Sequence, residues 1–387
     1  MLRIAPAIKR YAWGSTDALP CLMGEPATDE PVAELWYGAH PAGPSTAPGA
    51  ITGSLLGVVQ ADPVSMLGEF EALPFLLKLL APGSPVSLQV HPTEEDAVHG
   101  FRAEQSRGIA VDDPSRSFRD MSSKPEMLYA ITLFDGLAGF RTRAEVRATV
   151  DRLPVAGRPL RDALARGDAS DGMRAAMRHV LLGSPMDMDL LVHEAKANLE
   201  SDPALATFLE LVEYHPRDRG VVASLLLRRH RLNPGEALFV APGTPHAYLG
   251  GVAVEVMANS DTVLRGGLTA KRVDSMEFLR CLNTARSAPE PLLSGVGKTS
   301  TFRPADAPFE LTVARTDECA TVVESTGPRI ALVVAGRARI GTAEGEPIDL
   351  LTGGAVFVPA CAGAITIRGD ATTVVAAGRR PIARYPG

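Results

Sequence analysis

Short alternating segments that end in proline or glycine recur along this chain, and they limit its fold more than any other feature. In residues 85–91, PVSLQVH, valine and leucine alternate with serine, glutamine and histidine. Successive side chains of a strand point to opposite faces, so the pattern predicts a strand with one apolar and one polar face. The polar face carries compact, uncharged side chains where a solvated face usually carries Lys or Glu. We therefore expect a mainly β chain in which this face looks into a site.

A helical pattern of apolar residues interrupts the alternating strand pattern in residues 143–218. Segments such as TRAEVRATVDRL and DPALATFLELVEYH carry apolar residues at helical spacing. The chain has 387 residues, more than one ordinary core holds. We predict a discontinuous catalytic barrel in residues 1–142 and 219–286, divided by a helical insertion in 143–218 that covers or shapes the site. Residues 287–387 are predicted to form a C-terminal barrel without metal ligands.

An internal similarity supports two related barrels. The segment GEALFVAPGTPHA (235–247) aligns with GGAVFVPACAGA (353–364) when one residue is skipped, which places His246 opposite Gly363. Two strands of this kind predict two jelly-roll barrels of the cupin type beside the α-helical domain. Since the first segment alone keeps the histidine, the chemistry is expected in the first barrel. Chance resemblance between two short strands is the alternative.

Charge and cysteine usage exclude several classes of protein. The formal net charge of -6 argues against wholesale binding of nucleic acid. The best apolar run, LPFLLKLLAP, is interrupted by Lys78 and is too short to span a membrane. The 4 cysteines form no C-x-x-C pair, and the N-terminus lacks a signal-peptide core. We expect a cytoplasmic monomer that binds a small molecule.

Two histidines and one carboxylate suggest a metal site. Gln89 and His91 share the polar face of the first strand, Glu126 lies in SKPEMLY, and His246 follows a Pro-Gly turn. Histidine and carboxylate are a common zinc set. With a neutral glutamine, these ligands leave the ion a net charge of about +1, so it stays a strong Lewis acid. Taken alone, a histidine such as His91 or His246 is more often structural than a metal ligand, and Glu126 is also compatible with a surface ion pair.

Residues 255–272, EVMANSDTVLRGGLTAKR, cluster charged side chains near glycines. Arg265 and Lys271 are the residue types that clamp anions, and Lys124 adds positive charge near the predicted metal. The cluster favours a phosphorylated small molecule as ligand. A solvated charged loop is the alternative.

The chain resembles the type I mannose-6-phosphate isomerase family of the cupin superfamily. The resemblance rests on segments that occur in family order between residues 11 and 282: YAWGS, ELWYGAHPAGPS, LPFLLKLL, VSLQVHP, KPEMLYAIT, GLAGFR, LNPGEALFVAPGTPHAYL and NSDTVLRGGLTAK. The family pattern SDNVLRAGLTPK appears here as SDTVLRGGLTAK, with Thr262, Gly266 and Ala270 at the altered positions. These changes leave every charged group in place, and we expect them to affect substrate preference rather than the reaction.

The resemblance implies both an activity and its residues. It implies one Zn²⁺ held by Gln89, His91, Glu126 and His246, and the interconversion of mannose 6-phosphate and fructose 6-phosphate through an enediol intermediate. It implies that Arg265 is the catalytic-site arginine. The other residues expected at the site are Lys124, Glu255 and His40, among which the general base is left open, and the candidate substrate contacts Lys271, Trp13, Ser87 and Asp261.

Three other functions remain open from the sequence. One is an isomerase of the same fold that acts on another sugar or sugar phosphate. Another is a non-catalytic sugar-binding cupin, which would be expected to have lost a ligand or the arginine. The third is an iron-dependent cupin dioxygenase, against which the Gln89 ligand argues weakly.

Overall fold

The computed structural model describes residues 1–295, 297–317 and 319–380. Within these ranges the strands are β1 (Leu2–Ile4), β2 (Ala7–Lys9), β3 (Glu34–Tyr37), β4 (Phe75–Leu80), β5 (Leu88–Val90), β6 (Glu126–Ala130), β7 (Phe134–Phe140), β8 (Leu227–Leu232), β9 (Glu236–Val240), β10 (His246–Gly250), β11 (Ala253–Ala258), β12 (Leu264–Gly267), β13 (Leu292–Leu293), β14 (Thr299–Phe302), β15 (Phe309–Thr316), β16 (Thr321–Val323), β17 (Arg329–Gly341), β18 (Ile348–Leu351), β19 (Ala355–Val358), β20 (Ile365–Arg368) and β21 (Ala371–Gly378).

The helices concentrate in the middle of the chain. They are α1 (Ala18–Leu22), α2 (Leu55–Ala61), α3 (Pro63–Leu67), α4 (Glu94–Ser106), α5 (Arg143–Asp151), α6 (Arg158–Leu164), α7 (Ala169–Leu182), α8 (Met188–Ala197), α9 (Pro203–Tyr214), α10 (Gly220–Ala223) and α11 (Ser275–Cys281), with 3₁₀ turns at Leu199–Ser201 and Ser224–Leu226. Helix α5 begins with a capping box in which Thr142 and Glu145 satisfy each other's backbone N–H groups. The helices α5 to α9 lie inside the segment with helical spacing, so the fold is mainly β with a helical block.

Two antiparallel sheets pack against each other, and the second of them contains the polar strand, β5. One has the order β13-β9-β6-β11-β4-β3-β2 and the other the order β12-β5-β10-β7-β8. Apolar side chains of both, such as Leu128 and Phe134, share one buried cluster. The strand of residues 85–91 is shorter than its alternation suggests, because only Leu88–Val90 pair as β5.

Strand β4 shows how alternation creates the site. Leu77 and Leu79 point to one face and pack in a cluster with residues of the C-terminal region, such as Phe309. Lys78 lies between them and points to the opposite face, toward the second sheet, where it is buried. Both faces of the sheet are therefore covered. One face packs against the C-terminal region, and the other lines a polar interior that faces the second sheet.

A third sheet is formed mainly by the C-terminal residues. Its strands run β1-β19-β17-β21-β15-β14, with β16, β18 and β20 attached beside this path. Strand β1 pairs with β19, and β13 pairs with β9, so two pairings cross the limits that we predicted between the barrels. Among the described residues, no helix is both long and apolar enough to cross a membrane.

Candidate metal centre

A cavity of about 510 Å³ opens between the first two sheets. The predicted site residues that line it are Trp13, His40, Ser87, Gln89, Lys124, Glu126, Glu255, Asp261, Arg265 and Lys271. The two remaining predicted residues, His91 and His246, are buried and contact Glu126 behind the cavity wall. The structure thus brings together all the residues that the sequence singled out.

Strand register explains why these distant segments meet. On the second sheet, Gln89 of β5 lies directly opposite His246 of β10 on one side and Arg265 of β12 on the other. Glu126 and Glu255 come from the neighbouring strands β6 and β11 of the first sheet. Residues from both sheets therefore face one another across the interior.

Glu126 lies between the two histidines. His91 Nε2 is 3.1 Å from Glu126 Oε1, and His246 Nε2 is 3.4 Å from Glu126 Oε2. One nitrogen or oxygen atom from each of the three residues falls within 4.8 Å of the others, and all three residues are buried. This separation matches a group of ligands around one ion.

The hydrogen bonds of the two imidazoles argue for a cation. His91 Nδ1 is 3.1 Å from the carbonyl oxygen of Thr262, and His246 Nδ1 is 3.0 Å from that of Thr244. A carbonyl only accepts, so we assign the proton of each ring to Nδ1, which leaves Nε2 with a lone pair.

Burial also keeps the His91 ring neutral. It lowers the pKa of His91 to about 4, despite the opposing effect of Glu126. Burial alone would raise the pKa of Glu126, but its neighbours, the Lys124 ammonium among them, lower it well below its usual value. Within the described part of the chain His91 Nε2 has no hydrogen-bond partner. Lone pairs facing an ionised carboxylate are stabilised by a cation between them, and two nitrogens with one oxygen suit Zn²⁺.

Gln89 has a fixed orientation beside this group. Its amide nitrogen donates to Ser87 Oγ over 3.0 Å. Because Asn and Gln side chains present one donor end and one acceptor end, this bond leaves the amide oxygen as the end free to bind a metal. Ser87 therefore fixes which end of Gln89 is available.

A buried charged network lies next to the three metal-site residues. Lys78 Nζ is 2.7 Å from Glu255 Oε2 and 3.5 Å from Glu34 Oε1. Burial would lower the pKa of Lys78, but Glu255 and Glu34 raise it above its usual value. Burial raises the pKa of Glu255, against the opposing effect of Lys78. The network places a carboxyl group of raised pKa in the cavity wall.

Tyr248 links this network to the metal-site carboxylate. Its hydroxyl is 3.0 Å from Glu255 Oε1 and 3.2 Å from Glu126 Oε2. The hydroxyl has one proton and donates to one of these oxygens at a time. The positions of Glu126 and Glu255 are therefore coupled through a single side chain.

The other two candidates for proton transfer have different partners. Lys124 Nζ is 3.2 Å from Glu126 Oε1. His40 accepts at Nδ1 from the backbone N–H of Ala42, and its Nε2 is 3.4 Å from Asp261 Oδ1. Burial lowers the pKa of His40. Lys124 is thus engaged by a metal-site residue, whereas His40 faces an exposed carboxylate.

The cationic wall of the cavity is formed by Arg265 and Lys271. Burial lowers the pKa of Arg265, and burial together with Arg265 lowers that of Lys271. Lys271 Nζ lies 5.0 Å from the centre of the Tyr11 ring, which stacks on Trp13 with 5.8 Å between ring centres. Aromatic rings beside cations of this kind suit a polar, negatively charged ligand.

The sequence analysis did not identify several residues of this cavity. They are Tyr11, Glu34, Trp36, Lys78, His215 and Tyr248. A signal existed for Lys78, because a lysine in the middle of an apolar strand must be paired when it is buried. His215 follows α9, so the helical insertion contributes to the cavity wall.

Comparisons with known proteins show which family the chain resembles. The family model for the catalytic domain of type I phosphomannose isomerase matches residues 1–143. The chain is 32% identical over 383 residues to the mannose-6-phosphate isomerase of Escherichia coli (strain K12), covering 95% of this chain and 97% of that protein. It is 38% identical over 293 residues to the enzyme of Salmonella typhimurium, covering 72% and 74% of the two chains.

Solved structures extend the likeness to the whole fold. A zinc-bound crystal structure of mannose 6-phosphate isomerase superposes with a TM-score of 0.88 at 30% identity, over 98% of this chain and 99% of that chain. A second crystal structure, bound with zinc and yttrium, gives 0.87 at 31% identity and covers 98% and 100%. The chain belongs to the type I phosphomannose isomerase family.

Proposed function

We propose that this protein is a zinc-dependent isomerase that interconverts mannose 6-phosphate and fructose 6-phosphate. One observation carries the proposal: the group His91, Glu126 and His246 adjoins a cavity whose wall holds Arg265, which has no ion-pair partner among the described residues. Family membership identifies the reaction, since the relatives and the zinc-bound structures bear this enzyme's name. Two alternatives are not favoured: an isomerase of another sugar or sugar phosphate, and a sugar-binding protein without activity.

The metal is held in this proposal by Gln89, His91, Glu126 and His246. The two imidazoles have their Nδ1 atoms fixed by backbone carbonyls, and Gln89 has its nitrogen fixed by Ser87. Zn²⁺ bound here supplies a Lewis acid that stabilises negative charge on a sugar oxygen. Lys124 and Tyr248 hold the Glu126 carboxylate in place.

Glu255 is our choice for the general base. An aldose and a ketose differ by a proton moved between C2 and C1, so one group must accept and return it. A carboxyl group with a raised pKa suits both steps, and Glu255 lies in the cavity wall between Lys78 and Tyr248. His40 and Lys124 are the alternatives.

The remaining residues bind and orient the sugar phosphate. Arg265 donates to the oxygen on which negative charge develops, because its guanidinium has no carboxylate partner in the described structure. Lys271 contacts the phosphate, and Ser87, Asp261 and Trp13 contact the sugar. Asp261 also holds His40.

A coupled assay on mannose 6-phosphate, with and without a chelator, tests the function. We expect turnover that is lost on metal removal and restored by Zn²⁺, and metal analysis that finds one zinc per chain and no iron. Turnover at the full rate without metal would disprove the zinc role. Equal activity on free mannose and on its 6-phosphate would favour an isomerase of another sugar.

The base assignment has its own test. Glu255→Gln keeps the shape of the side chain and removes its ability to accept a proton, so kcat should fall roughly 10²–10⁴-fold while zinc content stays constant. Exchange of the C2 hydrogen with solvent should fall in parallel. Normal exchange in this variant, together with its loss in His40→Gln, would move the role to His40.

The finer architecture is also a proposal. Two antiparallel sheets that enclose one interior, and a third beside them, support two jelly-roll barrels of the cupin type. Domain limits at 142, 218 and 286, a monomeric state and a cytoplasmic location stay predictions. Light scattering of the purified protein tests the monomer, and limited proteolysis tests the limits.

A further inference from the structure

A second cavity, of about 320 Å³, lies beside the metal-site cavity. The two cavities share the wall residues Asp261, Val263, Arg265 and Lys271. The side cavity adds the cationic residues Arg116, Arg119 and Arg272 and the polar residues Ser117 and Asp274. A ligand in the larger cavity can therefore extend into this strongly cationic space.

Among the described residues, Arg116 pairs with Glu104 and Arg272 with Asp274, and the other three cations of the side cavity have no carboxylate partner. Asp274 is already engaged: it accepts from Arg272 and Ser117 and caps α11 through the backbone N–H of Glu277. The other carboxylate, Asp261, faces His40. In the ranges that the structure describes, Arg119, Arg265 and Lys271 form no ion pair with either of them.

These cations also repel one another. After burial, the next influence lowering the pKa of Arg265 is the charge of Arg119, and for Lys271 it is the charge of Arg265. Like charges held together in a partly buried place destabilise each other, and an anion between them removes that cost. Arg119, Arg265 and Lys271 therefore form a cluster of like charges that a bound anion would stabilise.

Arg119 is held in position before any ligand arrives. Its Nη1 donates to the carbonyl of Val111 over 2.8 Å, and its Nη2 donates to that of Asp113 over 3.4 Å. A guanidinium has five N–H donors, so three remain for a ligand. The backbone N–H of Arg119 donates to Thr262 Oγ1 over 2.9 Å. Side chain and main chain are thus both restrained.

The same anchor connects Arg119 to the metal centre. The Asp120 carboxylate accepts from Ser260 Oγ over 2.9 Å and from the backbone N–H of Asp261 over 2.8 Å. Thr262, whose hydroxyl holds Arg119, also presents the carbonyl that accepts from His91 Nδ1. Hydrogen bonds through Thr262 therefore restrain the main chain of Arg119 relative to the metal site.

We propose that the side cavity binds the phosphate of the sugar phosphate and that Arg119 is a specificity-determining residue for it. This rests on the proposed function and adds a residue outside the charged cluster noted in the sequence. Charge-assisted hydrogen bonds from a guanidinium match phosphate oxygens, and their donors are left unpaired when a sugar without phosphate binds. Arg119 thereby favours phosphorylated over free sugar.

The test is Arg119→Gln, assayed with mannose 6-phosphate and with inorganic phosphate as a competitive inhibitor. We expect KM for mannose 6-phosphate and Ki for phosphate each to rise roughly 10–100-fold, with kcat within about 2-fold, because one charged contact is lost away from the reacting atoms. Any turnover of free mannose that the wild type shows should be the same in this variant. Arg119→Lys keeps the charge but not the forked guanidinium. Its KM and Ki should lie between those of the wild type and those of Arg119→Gln.

Arg102→Gln is the matched control, because Arg102 is exposed on α4 and lines neither of these two cavities. It removes the same charge, so its KM and Ki should stay at wild-type values. Zinc content and melting temperature report whether each variant is folded. If Arg119→Gln is unstable, Arg119→Lys decides: wild-type KM and Ki in that variant would argue against bidentate recognition by Arg119.

The outcomes separate this inference from the proposed function. Isomerisation of mannose 6-phosphate by the wild type, with KM and Ki unchanged in Arg119→Gln, would overturn the inference alone. Absence of isomerisation in the zinc-loaded wild type, with calorimetric phosphate binding weakened in Arg119→Gln, would overturn the function and keep the anion subsite.

Discussion

Two buried or half-buried arginines show how differently the two β regions use a charge. Arg329 begins β17 in the C-terminal region and is fully buried. Its guanidinium donates to four backbone carbonyls, those of Ser325, Pro359, Ala362 and Gly363. Arg265, on β12, has no such acceptor among the described residues and faces the cavity. The fold satisfies both terminal nitrogens of Arg329, although its Nε has no partner in the described part of the chain, and it leaves the guanidinium of Arg265 for a ligand.

The interiors around the two arginines differ in the same way. In the C-terminal region, the residues that alternate with Arg329 on its strand, Ala331 and Val333, pack into an apolar cluster. Between the first two sheets, the interior instead contains Lys78, Glu126 and Glu255. Buried charges cost stability unless they are paired. Their concentration between the first two sheets therefore indicates that the functional site lies there.

The largest expected effect lies at the metal-site carboxylate. Glu126→Ala removes the oxygen that faces both imidazoles, so zinc content should fall and activity should drop by about 10³-fold or more. Metal analysis and the coupled assay measure both. Glu324→Ala, at an exposed glutamate of the C-terminal region, is the control and should change neither. If Glu126→Ala kept its zinc, the buried carboxylate would not serve the metal site. The contrast between the two β regions would then fail.

Removing the unsatisfied arginine should affect the reaction rather than the fold. Arg265→Ala is expected to lower kcat by roughly 10²–10³-fold, since a donor to a developing negative oxygen is lost. Zinc content and melting temperature should stay near wild type, because the guanidinium has no structural acceptor in the described residues. Arg337→Ala, at an exposed arginine on β17, is the control. A normal kcat would remove Arg265 from the chemistry.

Removing the satisfied arginine should do the opposite. Arg329→Met leaves the carbonyls around it without their donor, so the free energy of unfolding should fall by about 3 kcal/mol. Urea denaturation measures this, and kcat and KM of the folded protein should not change. The same substitution at Arg337 provides the control. A lower kcat with unchanged stability would show that the C-terminal interior takes part in the reaction.

The smallest effect is expected at a surface ion pair between Glu145 of α5 and Arg228 of β8, outside both interiors. Hydrogen bonds from Thr142 and Arg228 outweigh burial and lower the pKa of Glu145 to about 2. A depressed pKa stabilises the fold above the unfolded value of 4.5 and loses this contribution as the pH falls toward 2. The side chain is 39% exposed, so the contribution is below about 1 kcal/mol.

Urea denaturation of wild type and Glu145→Gln between pH 7 and pH 3 measures it. The difference in unfolding free energy should be largest at pH 7 and shrink at pH 3. An equal difference at both pH values would mean that Glu145 acts through packing rather than charge.

Much of the local structure could be predicted from the sequence because it follows from neighbouring residues. The capping box of Thr142 and Glu145 and the apolar spacing after it predict α5, and the alternation of residues 329–341 predicts β17. The glycine-rich segment that follows Asp261 was likewise singled out from its charges. The strand register, however, was not predictable, and it is the register that sets Gln89 opposite both His246 and Arg265.

Lys78 shows why the rest of the site could not be derived. Its sequence neighbours are apolar, and its partners Glu34 and Glu255 lie on two other strands. The lysine therefore looked like an interruption in an apolar run, although the fold makes it the centre of a buried network. Arg119 was missed for the same reason, since its anchor Thr262 is far away in sequence.

By itself the sequence determined which segments are strands or helices and which donor atoms are available, because periodicity and side-chain chemistry are local properties. Only the tertiary structure decided which charges are satisfied. Arg265 and Arg329 are chemically identical, and the difference between them depends on whether the fold brings carbonyl oxygens to the guanidinium or leaves it facing a cavity. Hydrogen bonds reach only about 3 Å, so this outcome is set by contacts between segments that the chain order keeps apart.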